Sequence, residues 1–304
     1  MKIVVTGATG AIGQVLVGEL LARGEEVTVL SRDPDRARST LGDVEAVVWP
    51  DPTAAPPPVE ALAGRDAVVH LLGEPVAQRW TESAKRTIRR SRELGTNNLV
   101  QALRAAEPRP TVLLSSSATG WYGPHGEEKL DEAASPARGD FLADVCVAWE
   151  EQAQRAEELG MRVATVRTGV VLSPSGGALE KMLPPFKLGL GGPVAGGEQY
   201  VSWVHIQDVV GTYLFCLDTE EATGPVNATA PEPVTNAELS KTLGRVLGRP
   251  AVVPVPALAV KVLFGEMAQI VTTGQRAMPR RLTELGYSWR QPDLEQALRS
   301  ATAS

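Results

Sequence analysis

The sequence predicts an α/β protein built on a doubly wound parallel sheet, with a smaller C-terminal region on the substrate side. Three observations predict it. The chain opens with a strand, a glycine-rich turn and a helix, apolar runs of strand length then alternate with helical segments, and this alternation breaks down after Leu172. Alternation of this kind is typical of parallel sheets covered by helices on both faces.

The opening unit predicts a site for a dinucleotide. Residues 1–5 form an apolar run, residues 14–22 have helical periodicity, and Gly24 ends the helix. Between them the glycines have the spacing G-x-x-G-x-x-G, a variant of the Rossmann-fold fingerprint G-x-G-x-x-G. The lengths of strand and helix disfavour the alternative, a glycine-rich turn that binds nothing. The residues predicted to contact the pyrophosphate are Gly7, Thr9, Gly10, Ala11, Ile12 and Gly13.

The end of the second strand predicts NADP(H) rather than NAD(H). Chains that bind NAD usually carry an acidic residue there for the ribose 2′-hydroxyl, whereas residues 26–30 are followed by Ser31 and Arg32. A guanidinium pairs with a 2′-phosphate, and a serine adds a hydrogen bond. The alternative is a solvated arginine whose charge Asp33 partly offsets.

The composition limits the classes of protein to which this chain can belong. The chain has 304 residues, 43% hydrophobic and 22% charged, which is enough for a substantial core, and its net charge of −6 argues against nucleic acid. Cys146 and Cys216 are too few for a disulfide framework, and the first strand begins where a signal peptide would stand, so we expect a reducing cytoplasm. No apolar run is long enough to span a membrane, and the three histidines lack metal-ligand spacing, so we expect no metal.

The remaining elements complete the predicted sheet. Strands are expected at residues 45–49, 66–73, 111–115 and 162–166, with long helices at 81–106 and 139–159. The proline-rich residues 50–58 are expected to lie over the adenine end of the site. We expect residues 1–172 to form the dinucleotide-binding domain, with 202–227 returning to it. Residues 173–201 and 228–304 then form the smaller region.

Several motifs together resemble the extended short-chain dehydrogenases/reductases. They are the glycine turn, Gly95-Thr96-Asn97-Asn98, the Ser-Ser-Ser-Ala-Thr-Gly-Trp-Tyr-Gly run at residues 115–123, and Val204-His205-Ile206-Gln207-Asp208. More narrowly, residues 188–193, Gly265-Glu266-Met267, Gly274-Gln275-Arg276 and Pro279 resemble an atypical subgroup of epimerase family proteins, NAD-dependent epimerase/dehydratase-like and also described as cell-division-inhibitor-like, with a C-terminal domain of unknown function.

The resemblance implies NADP(H) as cofactor and adds residues to its site. Arg92 stands where extended members usually carry an asparagine; the alternative for it is a helix-surface arginine. The further residues implied at the cofactor are Leu71, Leu72, Gly73, Arg92, Ser115 and Arg167, beside Ser31 and Arg32.

The chain departs from the family pattern at the catalytic pair. Ordinary members use Tyr-x-x-x-Lys, in which the lysine lowers the pKa of the tyrosine. Here the expected register places Leu142 and Cys146 at those positions, and Cys146 is expected in the core.

Other groups are the candidates for that chemistry. The predicted catalytic residues are Ser117, Tyr122 and Glu150, each with a structural alternative: local backbone hydrogen bonding, packing, and helix capping or local pairing. His205 is expected on the substrate side or as a buried, hydrogen-bonded histidine.

Two functions therefore remain open. One is an NADP(H)-dependent oxidoreductase or epimerase acting on a small hydroxyl, carbonyl or nucleotide-sugar-like substrate. The other is a catalytically silent NADP(H) sensor that acts through a protein partner; an exposed apolar patch on the C-terminal region would favour it. The two long helices are the candidate surface for a homodimer. The substrate, and whether catalysis is retained, are not given by the sequence.

Overall fold

The computed structural model describes residues 1–174 and 176–303. Its strands, in chain order, are β1 (Lys2–Thr6), β2 (Glu26–Ser31), β3 (Glu45–Val48), β4 (Ala67–His70), β5 (Val112–Ala118), β6 (Lys129–Leu130), β7 (Arg162–Thr168), β8 (Val170–Leu172), β9 (Tyr200–Val201), β10 (Trp203–His205), β11 (Gly224–Ala228), β12 (Val234–Thr235) and β13 (Arg276–Ala277).

The helices cover the sheet and build the C-terminal region. In chain order they are α1 (Ala11–Ala22), α2 (Pro34–Leu41), α3 (Glu82–Ala105), α4 (Phe141–Gln154), α5 (Gly177–Lys187), α6 (Ile206–Asp218), α7 (Asn236–Leu247), α8 (Ala257–Phe264), α9 (Gln269–Thr272), α10 (Arg280–Glu284) and α11 (Leu294–Thr302). Side chains cap several of them: Thr81 accepts from the Ala84 amide at the start of α3, and Asp140 accepts from the Leu142 and Ala143 amides at the start of α4.

The main sheet has seven strands in the order β11-β7-β5-β4-β1-β2-β3, and every neighbouring pair is parallel. The chain runs outward from β1 to β3 and then returns to the other side of β1 with β4. That reversal opens a crevice at the carboxyl ends of β1 and β4, where ligands bind in doubly wound folds. The predicted fold class is confirmed.

Two apolar layers hold the sheet between helices. On one face, side chains from α1 and α6 such as Leu16 and Val209 pack on Val5 and Val29. On the other, α3 and α4 supply Leu99 and Ala153 against strand residues such as Leu113. Because both faces are covered, the strands are apolar along their length, as the sequence predicted.

The C-terminal region has an apolar cluster of its own and small two-stranded sheets. Leu179 of α5, Leu243 of α7 and Leu298 of α11 pack around Trp203, while β8 pairs with β10, β9 with β12 and β6 with β13. The strand β11 belongs to the main sheet, and α6 packs on it. The domain division itself stays a prediction.

Some predicted boundaries were wrong. The helix expected at residues 139–159 is α4, which ends at Gln154, followed by a separate 3₁₀ turn at Glu157–Leu159. The strand expected at residues 111–115 continues as β5 to Ala118, so Ser117 lies within it. Its polar end continues because β7 pairs with it as far as Ala118. No helix in residues 1–174 or 176–303 is both long and apolar enough to cross a membrane.

Candidate active site

The glycine turn between β1 and α1 is shaped for close approach of the backbone. Gly7 has φ +66°, and a Cβ there would lie 2.7 Å from the carbonyl oxygen of Leu71. A Cβ on Gly13 would lie 2.5 Å from the carbonyl oxygen of Gly7. Gly10 caps α1 without a side-chain hydrogen bond, which leaves the N–H groups of the first turn for an anion.

A cavity of about 610 Å³ lies beside this turn, at the carboxyl ends of β1, β2 and β4. Eight of the predicted cofactor residues line it: Gly7, Thr9, Gly10, Ser31, Arg32, Leu71, Leu72 and Gly73. The loop from Pro50 to Thr53 lines it too, and its position over the adenine end stays a prediction. Trp49, Thr87 and Ser91 also line it and were not predicted, because nothing in their local pattern marks them.

Arg32 lines the cavity and has no acidic partner within the described residues. Its side chain is exposed, and it forms no ion pair or hydrogen bond with the part of the chain that the structure describes. The nearby Asp33 is engaged elsewhere, because its carboxylate accepts from the Arg36 amide and caps α2. The Ser31 hydroxyl accepts from the Asp33 amide at 3.1 Å and donates to the Asp33 carbonyl at 3.0 Å. A guanidinium with no competing carboxylate suits a 2′-phosphate.

Arg92 lies behind the cavity wall rather than in it. Its Nη1 donates to the Glu74 carbonyl at 3.0 Å and to the Ile88 carbonyl at 3.2 Å, and its Cζ lies 4.9 Å from the centre of the Trp149 ring. A Cβ on Gly73 would lie 2.9 Å from the same Cζ. Burial lowers the pKa of Arg92. Arg92 therefore supports the loop that follows β4 and does not itself line the cavity.

The positions of the usual catalytic pair carry no acid–base chemistry. A Cβ on Gly120 would lie 3.3 Å from Cβ of Leu142 and 3.8 Å from Sγ of Cys146, so the turn after β5 packs directly on α4. The Cys146 thiol donates to the Ala118 carbonyl at 3.7 Å, and burial raises its pKa to about 12. The thiol thus stays protonated and is no nucleophile.

Ser117 and Glu150, two of the predicted catalytic residues, contact each other. The Ser117 hydroxyl donates to Oε1 of Glu150 at 2.6 Å. Arg167 holds the same carboxylate through two parallel bonds, Nε to Oε1 at 2.8 Å and Nη2 to Oε2 at 2.9 Å. The side chains of Arg167 and Glu150 are only 3% and 1% exposed. Burial lowers the pKa of Arg167, but the hydrogen bond and charge of Glu150 outweigh it, and the pKa is raised overall.

Tyr122 belongs to the same network but is buried. Its hydroxyl donates to Oδ1 of Asn227 at 2.8 Å and accepts from Nη1 of Arg167 at 3.1 Å, and burial raises its pKa to about 12. Both partners of the phenol are protein groups, so the arrangement gives Tyr122 a role in positioning Arg167. The guanidinium also lies 3.8 Å from the centre of the Trp121 ring.

The structure places three other predicted residues away from the cavity. Arg167 pairs with Glu150 as described, and Ser115 is buried within β5, where its hydroxyl donates to the Ser116 carbonyl at 3.3 Å. His205 caps α6: its Nδ1 accepts from the Gln207 amide at 3.3 Å, and its buried Nε2 has no hydrogen-bond partner in the described structure. Burial lowers the pKa of His205, which favours the neutral ring.

The segment before α10 reaches the end of β5, which the sequence did not predict. Nε2 of Gln275 donates to the Thr119 hydroxyl at 2.9 Å, and Arg276 stacks on Tyr200, with its Cζ 4.7 Å from the centre of the ring. No group of three or more potential metal ligands among His, Cys, Asp and Glu occurs within residues 1–174 and 176–303.

The crevice, the glycine turn and the triple serine strand define a dinucleotide-binding fold of the short-chain dehydrogenase type. The chain belongs to the NAD dependent epimerase/dehydratase family, whose model matches residues 3–228, and residues 255–301 match a domain of unknown function, DUF1731. The resemblance found in the sequence is therefore confirmed.

Within this family, the chain is similar to the SDR39U1 proteins. The chain is 40% identical over 304 residues to the chloroplastic homolog of epimerase family protein SDR39U1 from Arabidopsis thaliana, covering 99% of this chain and 86% of that protein. It is 34% identical to mouse SDR39U1, with both chains fully covered. The crystal structure of human SDR39U1 (isoform 2) with NADPH superposes with a TM-score of 0.90 at 34% identity, covering 99% of each chain.

Proposed function

We propose that this protein is an NADP(H)-dependent oxidoreductase or epimerase that acts on a small hydroxyl, carbonyl or nucleotide-sugar-like substrate without a Tyr-x-x-x-Lys pair. Cofactor binding is supported by the cradle around Gly7 and Gly13, which side chains would fill, and by the unpaired Arg32 on the cavity wall. The human relative crystallised with NADPH supports the same choice. The nicotinamide, when bound, supplies or accepts a hydride.

The chain's own part in the chemistry is proton transfer at Ser117. Ser117 is 3% exposed, its hydroxyl hydrogen is directed at Glu150, and the Cys146 thiol contacts the same hydroxyl, so a substrate hydroxyl that donates to the serine oxygen takes the place of the thiol there. As that hydroxyl is oxidised, its proton moves to Oγ of Ser117 while the serine proton moves to Oε1 of Glu150. The reverse steps return a proton to a carbonyl oxygen during reduction. Arg167 positions the carboxylate for both directions.

The single observation that carries the proposal is this hydrogen bond at the carboxyl end of β5. A serine that only satisfied local backbone, the alternative left open by the sequence, would donate to a carbonyl oxygen. Instead Ser117 donates to a buried carboxylate, 2.6 Å away, on the helix that carries the catalytic pair in ordinary members.

The first experiment titrates NADPH and NADH into the wild type, Arg32→Ala and the control Arg36→Ala. We expect Arg32→Ala to weaken NADPH binding about tenfold, the lower end for a charge-assisted contact at an exposed site, with NADH unchanged. Arg36→Ala removes an exposed arginine next to the cap of α2 and should leave both affinities unchanged.

Oxidation of NADPH is then followed across carbonyl compounds, and reduction of NADP⁺ across hydroxyl compounds and sugar nucleotides. Turnover on any of them supports the enzyme. If NADPH binds neither tightly nor in preference to NADH, the cofactor assignment is wrong.

A second candidate is the silent sensor, and the surface of α8 favours it. Only Val260 of the eight α8 residues is buried, whereas Leu258, Val262 and Leu263 are 73%, 68% and 68% exposed. Lys261 is the only charged residue of α8, so its exposed surface is mainly apolar, which suits a protein partner. Tight NADPH binding without turnover on any compound would favour this function. The homodimer through α3 and α4 stays a prediction.

A further inference from the structure

The segment from Gly274 to Ala277 is held firmly against the carboxyl end of the main sheet. A Cβ on Gly274 would lie 2.0 Å from the Tyr200 carbonyl oxygen. The Ser202 hydroxyl donates to the Gln275 carbonyl at 2.8 Å and accepts from the Ala277 amide at 2.9 Å. With Gln275 bonded to Thr119, two residues past Ser117, the segment borders the proposed reaction site.

The side chain of Arg276, which belongs to this segment, has no acidic partner in the described chain. Its guanidinium stacks on the Tyr200 ring, its Nε is buried without a hydrogen-bond partner, and it forms no ion pair with any carboxylate of the described chain. The residue directly opposite in the β6–β13 pair is Lys129, which also has no ion pair in the described structure. Like charges directly opposite on neighbouring strands are destabilising.

The missing partner of Arg276 does not reflect a lack of acidic residues in the chain, because a neighbouring arginine is paired. The chain has 36 Asp and Glu residues against 30 Lys and Arg. Arg280, four residues further on, pairs with both Asp131 at 3.0 Å and Glu284 at 2.7 Å. A stacked guanidinium whose charge no carboxylate of the described chain balances can bind an anion through its terminal nitrogens.

We propose that Arg276, with Lys129 beside it, binds an anionic group of the substrate, a carboxylate or a phosphate, whose reacting carbon lies at Ser117. This rests on the proposed function and adds the substrate class to it. The flat guanidinium accepts either oxyanion through two parallel hydrogen bonds.

The test titrates inorganic phosphate and acetate into the protein saturated with NADPH, so that neither probe enters the cofactor's own phosphate sites. The variants are Arg276→Gln, Arg276→Lys and the control Arg280→Gln. We expect Arg276→Gln to weaken the better-binding probe about tenfold, Arg276→Lys to weaken it less, and Arg280→Gln to leave it unchanged. Comparing the two probes identifies the oxyanion.

Equal affinities in the wild type and Arg276→Gln, or no binding of either probe to the wild type, would overturn the inference. NADPH affinity and thermal midpoint, measured first for each variant, separate this result from misfolding, and Arg276→Lys gives a second comparison. Failure of the wild type to bind NADPH would instead remove the proposed function. The probe titrations of the wild type and Arg276→Gln would still decide the role of Arg276 in that case, because their difference isolates this side chain.

Discussion

Replacing Glu150 by Gln tests whether the Ser117–Glu150–Arg167 network is as buried and as tightly coupled as its geometry indicates. The side chains of Arg167 and Glu150 are 3% and 1% exposed, so water cannot solvate a guanidinium that loses its carboxylate. Removing one partner of such a pair costs about 3–5 kcal/mol. Because the Gln amide oxygen still accepts one hydrogen bond, we expect the lower end, about 3 kcal/mol.

The assay is urea unfolding without cofactor, followed by tryptophan fluorescence. Arg299→Gln is the matched control, since its ion pair with Glu295 is exposed and should contribute little to the free energy of unfolding. The double variant Glu150→Leu, Arg167→Leu should be more stable than Glu150→Gln, because it leaves no unpaired charge. A loss below about 1 kcal/mol for Glu150→Gln, or a double variant less stable than the single, would refute the reasoning.

Three further predictions follow from the site. Ser117→Ala should lower turnover about a hundredfold on any substrate found, with NADPH affinity unchanged in the titration; unchanged turnover would exclude the proton transfer. Gly13→Ala should abolish NADPH binding because its Cβ would lie 2.5 Å from the Gly7 carbonyl oxygen, whereas Gly18→Ala meets nothing within 4 Å and should bind normally. Burial lowers the pKa of His70 from 6.5 to about 3, so acidification protonates the unfolded chain first. The His70 contribution to the free energy of unfolding should therefore fall by about 2 kcal/mol from pH 7 to pH 5, measured as the difference in pH dependence between the wild type and His70→Asn.

The sequence predicted those parts of the site that depend on local chain geometry. The turn around Gly7 and Gly13 was recognisable because backbone approach there excludes side chains, and Arg32 because it directly follows a strand. The sequence predicts that this strand ends at Ser115, the first of three serines, because serine favours turns. Pairing with β7 overrides that tendency as far as Ala118.

Contacts between distant elements could not be predicted in the same way. Arg167 was assigned to the cofactor, yet its partner Glu150 comes from α4, and only the packing of α4 against β5 and β7 brings the two together. Arg276 was noted in the sequence as part of a motif without a role. The sequence does not show which residues surround Arg276. Only the folded structure shows that its buried Nε has no hydrogen-bond partner and that no carboxylate of the described chain pairs with it.

The edge strand β11 also bears on how the protein is made. It closes the main sheet beside β7, but its residues are synthesised only after β8, β9 and β10 and helices α5 and α6. Until residue 228 has left the ribosome, the nascent chain presents an apolar strand with unpaired N–H and C=O groups, the kind of edge on which chains aggregate. We therefore expect a fragment that ends at residue 172, and so lacks β11, to leave this edge of β7 unpaired and to aggregate more readily than the full chain.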